Sequence, residues 1–464
     1  MKSGNNLARF FLSFFMVTSL FAGMQATAQS RVWSLEDCIN YAIENNIQIK
    51  QSELGIKTSE VNLLEGKLGL LPSINGGANY SYAWGRVLDQ TNYEYVDRET
   101  KQANFSLDAN LLLFAGFQRI NNIKKLKIDF LTSQYTADKM KDDISLMLTQ
   151  AYLAILFNKE LLRVAREQVQ MTKEQVNRTA KMVDAGTLAR GSLLEIQAQN
   201  AREEINVINY ENSLELSYLD LLQILDMPSD TDFEIDIPEL DIELAEDLLP
   251  VGGIYEYALL NQPSIKSAET MMESAHRSVA IAKGAMSPTL SLVSGWGTNY
   301  SNQFKKAVGF NPADTSIIYK SIDFGDQFKD NQNRYLAFAL NIPIFNGYQT
   351  QSNISRAKIM AEDARYNYEL AKNNLRKTIE QAYSDARAGY KTYSATQKSL
   401  SSFEESFRYT EQKFNVGLAN SVDYNLAKTQ LTAAESELLR AKYDYIFRSK
   451  ILDFYMGKPL MLTN

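Results

Sequence analysis

The sequence predicts an α+β membrane protein in which long α-helical coiled-coil hairpins are joined to four strands of membrane-crossing length. Three observations carry this reading. Two proline-free runs of nearly equal length, 117–183 and 347–414, place small and apolar residues at three-then-four spacing. Two pairs of shorter segments switch instead to strict alternation. The whole order of elements then occurs twice.

The run from Gly347 to Phe414 is 68 residues long and shows the helical pattern most clearly, with Ile354, Ala357, Ala361, Ala364, Tyr368, Ala371 and Leu375, then Ala382 after a polar Thr378. A 3.5-residue period keeps one seam turned to a neighbour and winds the pair into a left-handed supercoil. At 1.5 Å per residue such a helix reaches roughly 100 Å, against about 11 residues for an ordinary one.

The duplication rests on fixed offsets. Tyr41-Ala42 and Pro72 match Tyr257-Ala258 and Pro288 at a spacing of 216. Phe114-Ala115-Gly116, Gly186, Gln199 and Pro228 match Phe345-Asn346-Gly347, Gly417, Gln430 and Pro459 at a spacing of 231. The offset grows once, by 15 residues, between Pro288 and Phe345, so the second copy carries a longer loop there. The chain thus divides into a leader at 1–28, a first repeat at 29–227, a joining segment at 228–253 and a second repeat at 254–464.

The leader reads as a secretory signal. Lys2 and Arg9 precede the apolar stretch Phe10–Ala22, and Ala26-Thr27-Ala28 offers the small-residue cleavage site. A helix is expected from Trp33 to Leu71, with Ser34 as N-cap and Glu36-Asp37 in the first turn, ended by Pro72. Strands are expected at Ser73–Arg86 and Ala103–Phe114, joined by the polar loop Val87–Gln102. Ile74, Gly76, Ala78, Tyr80, Tyr82 and Trp84 alternate with polar or small residues, as do Phe105, Leu107, Ala109, Leu111 and Leu113. Lengths of ten to twelve residues suit a tilted transmembrane strand. The first long helix ends near Asp184-Ala185-Gly186, and Leu193–Asp226 returns alongside it. In the second copy, helix Ile254–Ser287 has Pro263 in its first turns, and strands are expected at Thr289–Trp296 and Arg334–Ile342 around the long polar loop Gly297–Asn333. The second long helix, a turn at Gly417 and a return helix to Tyr455 complete the repeat.

Composition narrows the function classes. Without the leader, 46 basic residues face 55 acidic ones, a net charge of −9 that disfavours nucleic acid as a partner. Cys38 is the only cysteine and His276 the only histidine, which leaves no internal disulfide and no ready metal cluster or histidine triad. The carboxylate pairs Glu203-Glu204 and Glu404-Glu405 point about 100° apart on a helix and suit salt bridges better than acid–base chemistry. No phosphate-cradling glycine motif stands between a strand and a helix. The chain reads as a protein without catalysis and without a cofactor. No mature segment has the ~20 consecutive apolar residues of a membrane helix, so any membrane crossing falls to the strands. Four strands cannot close a barrel. Three chains would supply twelve strands above a tube of twelve helical segments, which makes oligomerisation a requirement.

The segments Leu340-Asn341-Ile342-Pro343-Ile344-Phe345-Asn346-Gly347 and Lys413-Phe414-Asn415-Val416-Gly417-Leu418-Ala419-Asn420-Ser421-Val422-Asp423 resemble the strand-to-helix junction and the helical tip of the TolC family of outer-membrane efflux proteins. Trp33–Asn45 and Ala441–Pro459 fit the family's start and end, and the likeness covers essentially the whole mature chain. The resemblance implies a homotrimer in the lipid of the outer membrane, with a shared twelve-stranded barrel continued by a helical tunnel in the periplasm. It implies docking to a periplasmic adaptor (membrane fusion) protein and, through it, to an inner-membrane transporter, for efflux or type I secretion. It places the pore gate at Asp423 and the adaptor-docking tips at Gly186, Thr187, Gly191, Ser192, Gly417, Leu418, Ala419 and Ser421. Departures from the family pattern are Ser192 at the first-copy equivalent of Asp423, Leu426 at a further acidic position, and the absence of the arginine expected near Ala419. A periplasmic coiled-coil adaptor is the alternative, though adaptors carry one helical hairpin rather than two equal halves.

Overall fold

The computed structural model describes residues 32–88, 93–238 and 250–462; the expected leader lies outside them, as does part of the joining segment. In chain order the elements are β1 (Val32–Trp33), α1 (Leu35–Asn45), α2 (Ile47–Leu68), β2 (Ser73–Leu88), β3 (Tyr95–Ala115), α3 (Gln118–Asp184), α4 (Arg190–Ile224), β4 (Glu234–Ile235), α5 (Val251–Asn261), α6 (Pro263–Gly284), β5 (Thr289–Ser301), β6 (Lys305–Phe310), β7 (Ile317–Ser321), α7 (Phe324–Asp330), β8 (Asn333–Asn341), α8 (Gln349–Asn415) and α9 (Ser421–Tyr455). The helical hairpins repeat residue for residue. The boundaries 118, 184, 190 and 224 recur at 349, 415, 421 and 455, each displaced by the same 231. Among the described residues no helix is long and apolar enough to cross a membrane.

The described residues form two compact units, one from those up to Ile49, those between Lys141 and Ile254 and those from Ile379 onward, the other from those between Lys50 and Met140 and between Tyr255 and Thr378. In the first, Ser34 and Asp37 build the expected capping box: the Asp37 N–H donates to Ser34 Oγ at 3.1 Å and the Ser34 N–H to Asp37 Oδ2 at 3.2 Å. Cys38 and Ala42 of α1 are buried with Ile144, Leu148, Tyr152 and Ile155 of α3 and Leu221 of α4. The short β1 and β4 pair in parallel, and the Tyr152 hydroxyl lies 3.0 Å from the Trp33 carbonyl and 2.7 Å from that of Asp236.

The single helix expected over 33–71 is two. Asn46 is extended (φ −60, ψ 131) between α1 and α2. Its Oδ1 accepts from the Gln48 N–H at 2.9 Å and the Ile49 N–H at 3.3 Å, while its Nδ2 donates to the Ile224 carbonyl at 2.9 Å. Asp226, at φ +56, accepts from the Ile47 N–H at 2.8 Å. One side-chain pair thus caps the start of α2 and answers a carbonyl at the end of α4. The helix expected over 254–287 breaks at the matching place for another reason. Pro263 at the first helical position has no N–H to satisfy and forces Gln262 to be extended. Asn46→Ala is expected to cost about 1–2 kcal/mol, whereas Gln262→Ala, which removes no cap bond, should leave thermal melting nearly unchanged; parallel melts followed by helical dichroism check this.

In the second unit β2, β3, β5 and β8 form one antiparallel sheet in that order. The first hairpin is longer than expected, because β2 and β3 stay paired out to Leu88 and Tyr95 and take up most of the loop read at 87–102. The loop read at 297–333 is also structured, carrying the β6–β7 hairpin and α7. At the strand-to-helix junctions two successive residues take positive φ in both copies, Gly116-Phe117 and Gly347-Tyr348. Hydroxyls bind α3 to α6, with Thr132 to Thr270 at 2.8 Å and Thr136 to Ser267 at 3.1 Å. The seam of α8 runs as expected through Leu375 and then through Ile379, fully buried, rather than Thr378.

Candidate functional site

Cross-strand partners share a face of a sheet, so the register sorts the strand residues into two sets. On one face lie Ile74, Ala78 and Tyr80 of β2, Phe105, Leu107 and Ala109 of β3, Leu292 and Trp296 of β5, and Leu336, Phe338 and Leu340 of β8. On the other lie Asn75, Asn79, Asn104, Ser106, Asp108, Asn110, Ser291, Asn299 and Tyr335. Leu336, Phe338 and Leu340 are all more than 60% exposed within the chain. Ser294, Thr298 and Arg334 also fall on the first face, and Leu112, Val293, Ala337 and Ala339 on the second. A mainly apolar face backed by a mainly polar one is the arrangement of a strand set between lipid and an aqueous lumen. Tyr335 crosses the polar face to reach Asp108 at 3.2 Å, and it fits because Gly295 has no side chain: a Cβ there would stand 2.4 Å from its ring. Among the described residues both outer strands, β2 and β8, have one edge with no partner strand.

The tips of the two helical hairpins are built alike. Gly186 and Gly417 take φ +73 and +78, the conformation that closes a helix with a Schellman turn. The Thr187 N–H donates to the Met182 carbonyl at 2.9 Å, and the Leu418 N–H to the Lys413 carbonyl at 2.8 Å. Gly186, Thr187, Gly191, Gly417 and Leu418 are exposed, Ser192 and Ala419 are half-buried, and Ser421 is buried. Ser421 donates its hydroxyl to Glu195, and Ala419 packs on a cluster of Ile196, Phe414 and Tyr424. The Arg178 guanidinium, 2.9 Å from Asn415 Oδ1, adds a second link between the hairpins. Asp423 is exposed in the first turn of α9, where its N–H is capped by Asn420 Oδ1 at 2.8 Å.

Burial pushes the Tyr424 phenol up to about 12, with the Glu411 carboxylate adding to it. A raised phenol favours the folded state fully below its ordinary value near 10, and that stability is lost as the pH rises towards 12. Alkaline melting is therefore expected to flatten in Tyr424→Phe, as followed by dichroism across that pH range.

Below the tip lies a feature that the sequence reading did not single out. Lys428 has a side chain only 2% exposed, with its Nζ 3.2 Å from Glu203 Oε1 and 3.2 Å from the Gln168 carbonyl. Thr172 donates to Glu203 and accepts from Lys428, and Gln199 donates to Glu203 at 3.0 Å. Burial holds the ammonium below the usual lysine range, while Glu203 pulls it back up. Gln168 donates to Glu435 at 3.1 Å, and burial raises that carboxyl. The signal was present: Ser421, Tyr424, Lys428 and Leu431 are buried at three- and four-residue steps, so the lysine occupies a seam position. Of the adjacent carboxylates Glu203 and Glu204, one faces this core and the other meets Lys173 at 3.1 Å on the surface.

A model of the outer membrane efflux protein family matches residues 38–226 and 254–458. Over 436 residues the chain is 21% identical to outer membrane efflux protein BepC of Brucella suis, covering 93% of this chain and 87% of BepC. It is 23% identical over 422 residues to the outer membrane protein TolC of Vibrio cholerae, covering 90% of each. The solved structure of CusC superposes with a TM-score of 0.76 at 17% identity, over 94% of this chain and 96% of that one. Two repeats matched in order, with the duplicated hairpins and the two-faced sheet, place the chain in the outer membrane efflux protein family of TolC-like channels.

Proposed function

We infer that the protein is an outer-membrane export channel of a tripartite efflux or type I secretion system, a passive conduit without catalysis. The observation that carries this is the four-stranded sheet, mainly polar on one face and mainly apolar on the other, with an edge on each side that no strand pairs among the described residues. Three copies joined edge to edge would close a twelve-stranded barrel, since β2 and β8 run in opposite directions and can meet antiparallel. The helical part stands in the periplasm. The two repeats, 29–227 and 254–464, with 228–253 between them, each contribute one hairpin tip.

The exposed tip residues Gly186, Thr187, Gly191, Gly417 and Leu418, with Ser192 and Ala419 at their margin, suit docking to a periplasmic adaptor and through it to an inner-membrane transporter. Ser421 would act there from beneath, by holding Glu195. Asp423 is the gate carboxylate of this reading, on the exposed side of its helix. The alternative, a soluble periplasmic adaptor, gives no reason for a sheet that turns Leu336, Phe338 and Leu340 outward.

Detergent-extracted protein with the mass of three chains, opening cation-preferring steps in planar bilayers, is the expected result. Asp423→Ala should enlarge those steps if the carboxylate narrows the entrance; unchanged steps retire the gate and keep the conduit. A single-chain mass with no insertion overturns the channel.

A further inference from the structure

The outer ends of the strands, away from the long helices, are unequal in length, and the chain covers part of what this exposes. Beyond Gly297, where β8 stops pairing with β5, Gln327 of α7 stands in for a strand: it accepts from the Ser301 N–H and donates to the Ser301 carbonyl, both at 2.9 Å. Asn331 Nδ2 donates to the Asn299 carbonyl at 2.8 Å. Beyond Gln102, where β5 stops pairing with β3, Asn302 does the same for Lys101, donating to its carbonyl at 3.1 Å and accepting from its N–H at 2.9 Å. Two of the three uneven edges are thus capped within the chain.

The third is β2. Its sixteen residues exceed the nine of β8, the strand that another copy would offer it, so at least seven would stay uncovered. Ser73 and Asn341 are the helix-side ends of the two strands, which puts the excess at the outer end, Tyr82–Leu88. Trp84 there is 72% exposed.

One element lacks cover in the complementary way. Among the described residues the β6–β7 hairpin pairs with no other strand, and Val308, Phe310, Ile317, Ile318 and Tyr319 are all exposed. A lone two-stranded hairpin is marginal in water, and an open apolar edge invites another strand. The hairpin is rooted between β5 and α7, and α7 in turn leads directly into β8. It therefore lies at the outer end of the strand whose free edge must meet the next copy.

We propose that the β6–β7 hairpin of each copy lies along the outer edge of β2 in the next copy, from Tyr82 to Leu88, and so seals the rim between subunits. The occupant is a second copy of this chain, because the open length on β2 arises only from the mismatch with β8. The proposal rests on the shared-barrel reading above.

Its test uses a benzophenone amino acid at Phe310 or at Tyr319 in the full-length protein in outer membranes. Irradiation, denaturing gels and peptide mapping are combined with the native mass in detergent. The expected result is a covalent dimer whose cross-link maps to residues 82–88 of another copy, in protein of three-chain mass. A three-chain mass with adducts only inside one chain, only to a different protein, or none from either position overturns the hairpin contact and leaves the barrel standing. A single-chain mass removes the barrel reading and the hairpin contact with it.

Discussion

Replacing Lys428 by alanine is expected to cost about 3–5 kcal/mol, the range for breaking a buried ion pair from one side. The loss comes less from the missing attraction than from what stays behind. Glu203 would remain inside the α3–α4–α9 packing with only Thr172 and Gln199 donating to it. Its carboxylate, 10% exposed as a side chain, has no short route to water. Replacing both partners by apolar residues, Lys428→Met with Glu203→Leu, removes the stranded charge and should restore most of the stability. Thermal melts of the two single variants and the double variant in detergent, followed by far-ultraviolet dichroism, give the coupling directly. A double variant as weak as Lys428→Ala would mean that shape, not charge, holds this layer.

Gly116→Ala is expected to be as severe, and Gly347→Ala mild, although the two glycines hold the same place in the two repeats. Both take positive φ, +59 and +62, and that backbone strain alone costs an alanine roughly 1–2 kcal/mol. The neighbours differ. A Cβ at Gly116 would stand 2.3 Å from the Gly284 carbonyl oxygen and 2.6 Å from Ser287 Cβ, and the first of these is backbone that cannot rotate away. At Gly347 nothing lies within 4 Å. The strand-to-helix junction of the first copy should therefore fail to close, with a loss above about 4 kcal/mol. Gly347→Ala should accumulate as protease-resistant protein in outer membranes, and Gly116→Ala should not. Equal yields of the two variants would show that the α6 contact has no bearing on folding.

The contrast between these glycines marks how far the sequence could be read. Periodicity carried the long helices almost to the residue, and the fixed 231-residue offset reappears in every hairpin boundary. Features set by local chemistry, such as the Ser34 capping box and the glycine turns at 186 and 417, were equally open. What escaped depends on contacts between distant segments. Asn46 breaks a helix through a carbonyl 178 residues away, and no spacing rule announces that. The outer part of β3, Tyr95–Gln102, is largely polar and charged, so it reads as loop, yet pairing with β2 extends it into strand. Lys428 follows the seam period, but a lysine in an otherwise small and apolar row is easily taken for surface until Glu203 and Thr172 are seen to meet it. At the tips the sequence grouped eight positions together; the structure separates an exposed turn from Ser421, which is spent on Glu195.

The sheet order has an arithmetical consequence for the width of the conduit. Each chain presents one rising and one falling outer strand, so copies can join only in whole sets of four. Barrel diameter grows with strand number, and the bore of such a channel is therefore quantised: it cannot be widened by one or two strands as a single-chain barrel can. Sequence change can adjust calibre only by what projects inward from the polar face, where Tyr335 lies across Gly295. Selectivity in a pore of this kind is a matter of side chains and loops, because the wall itself has a fixed gauge.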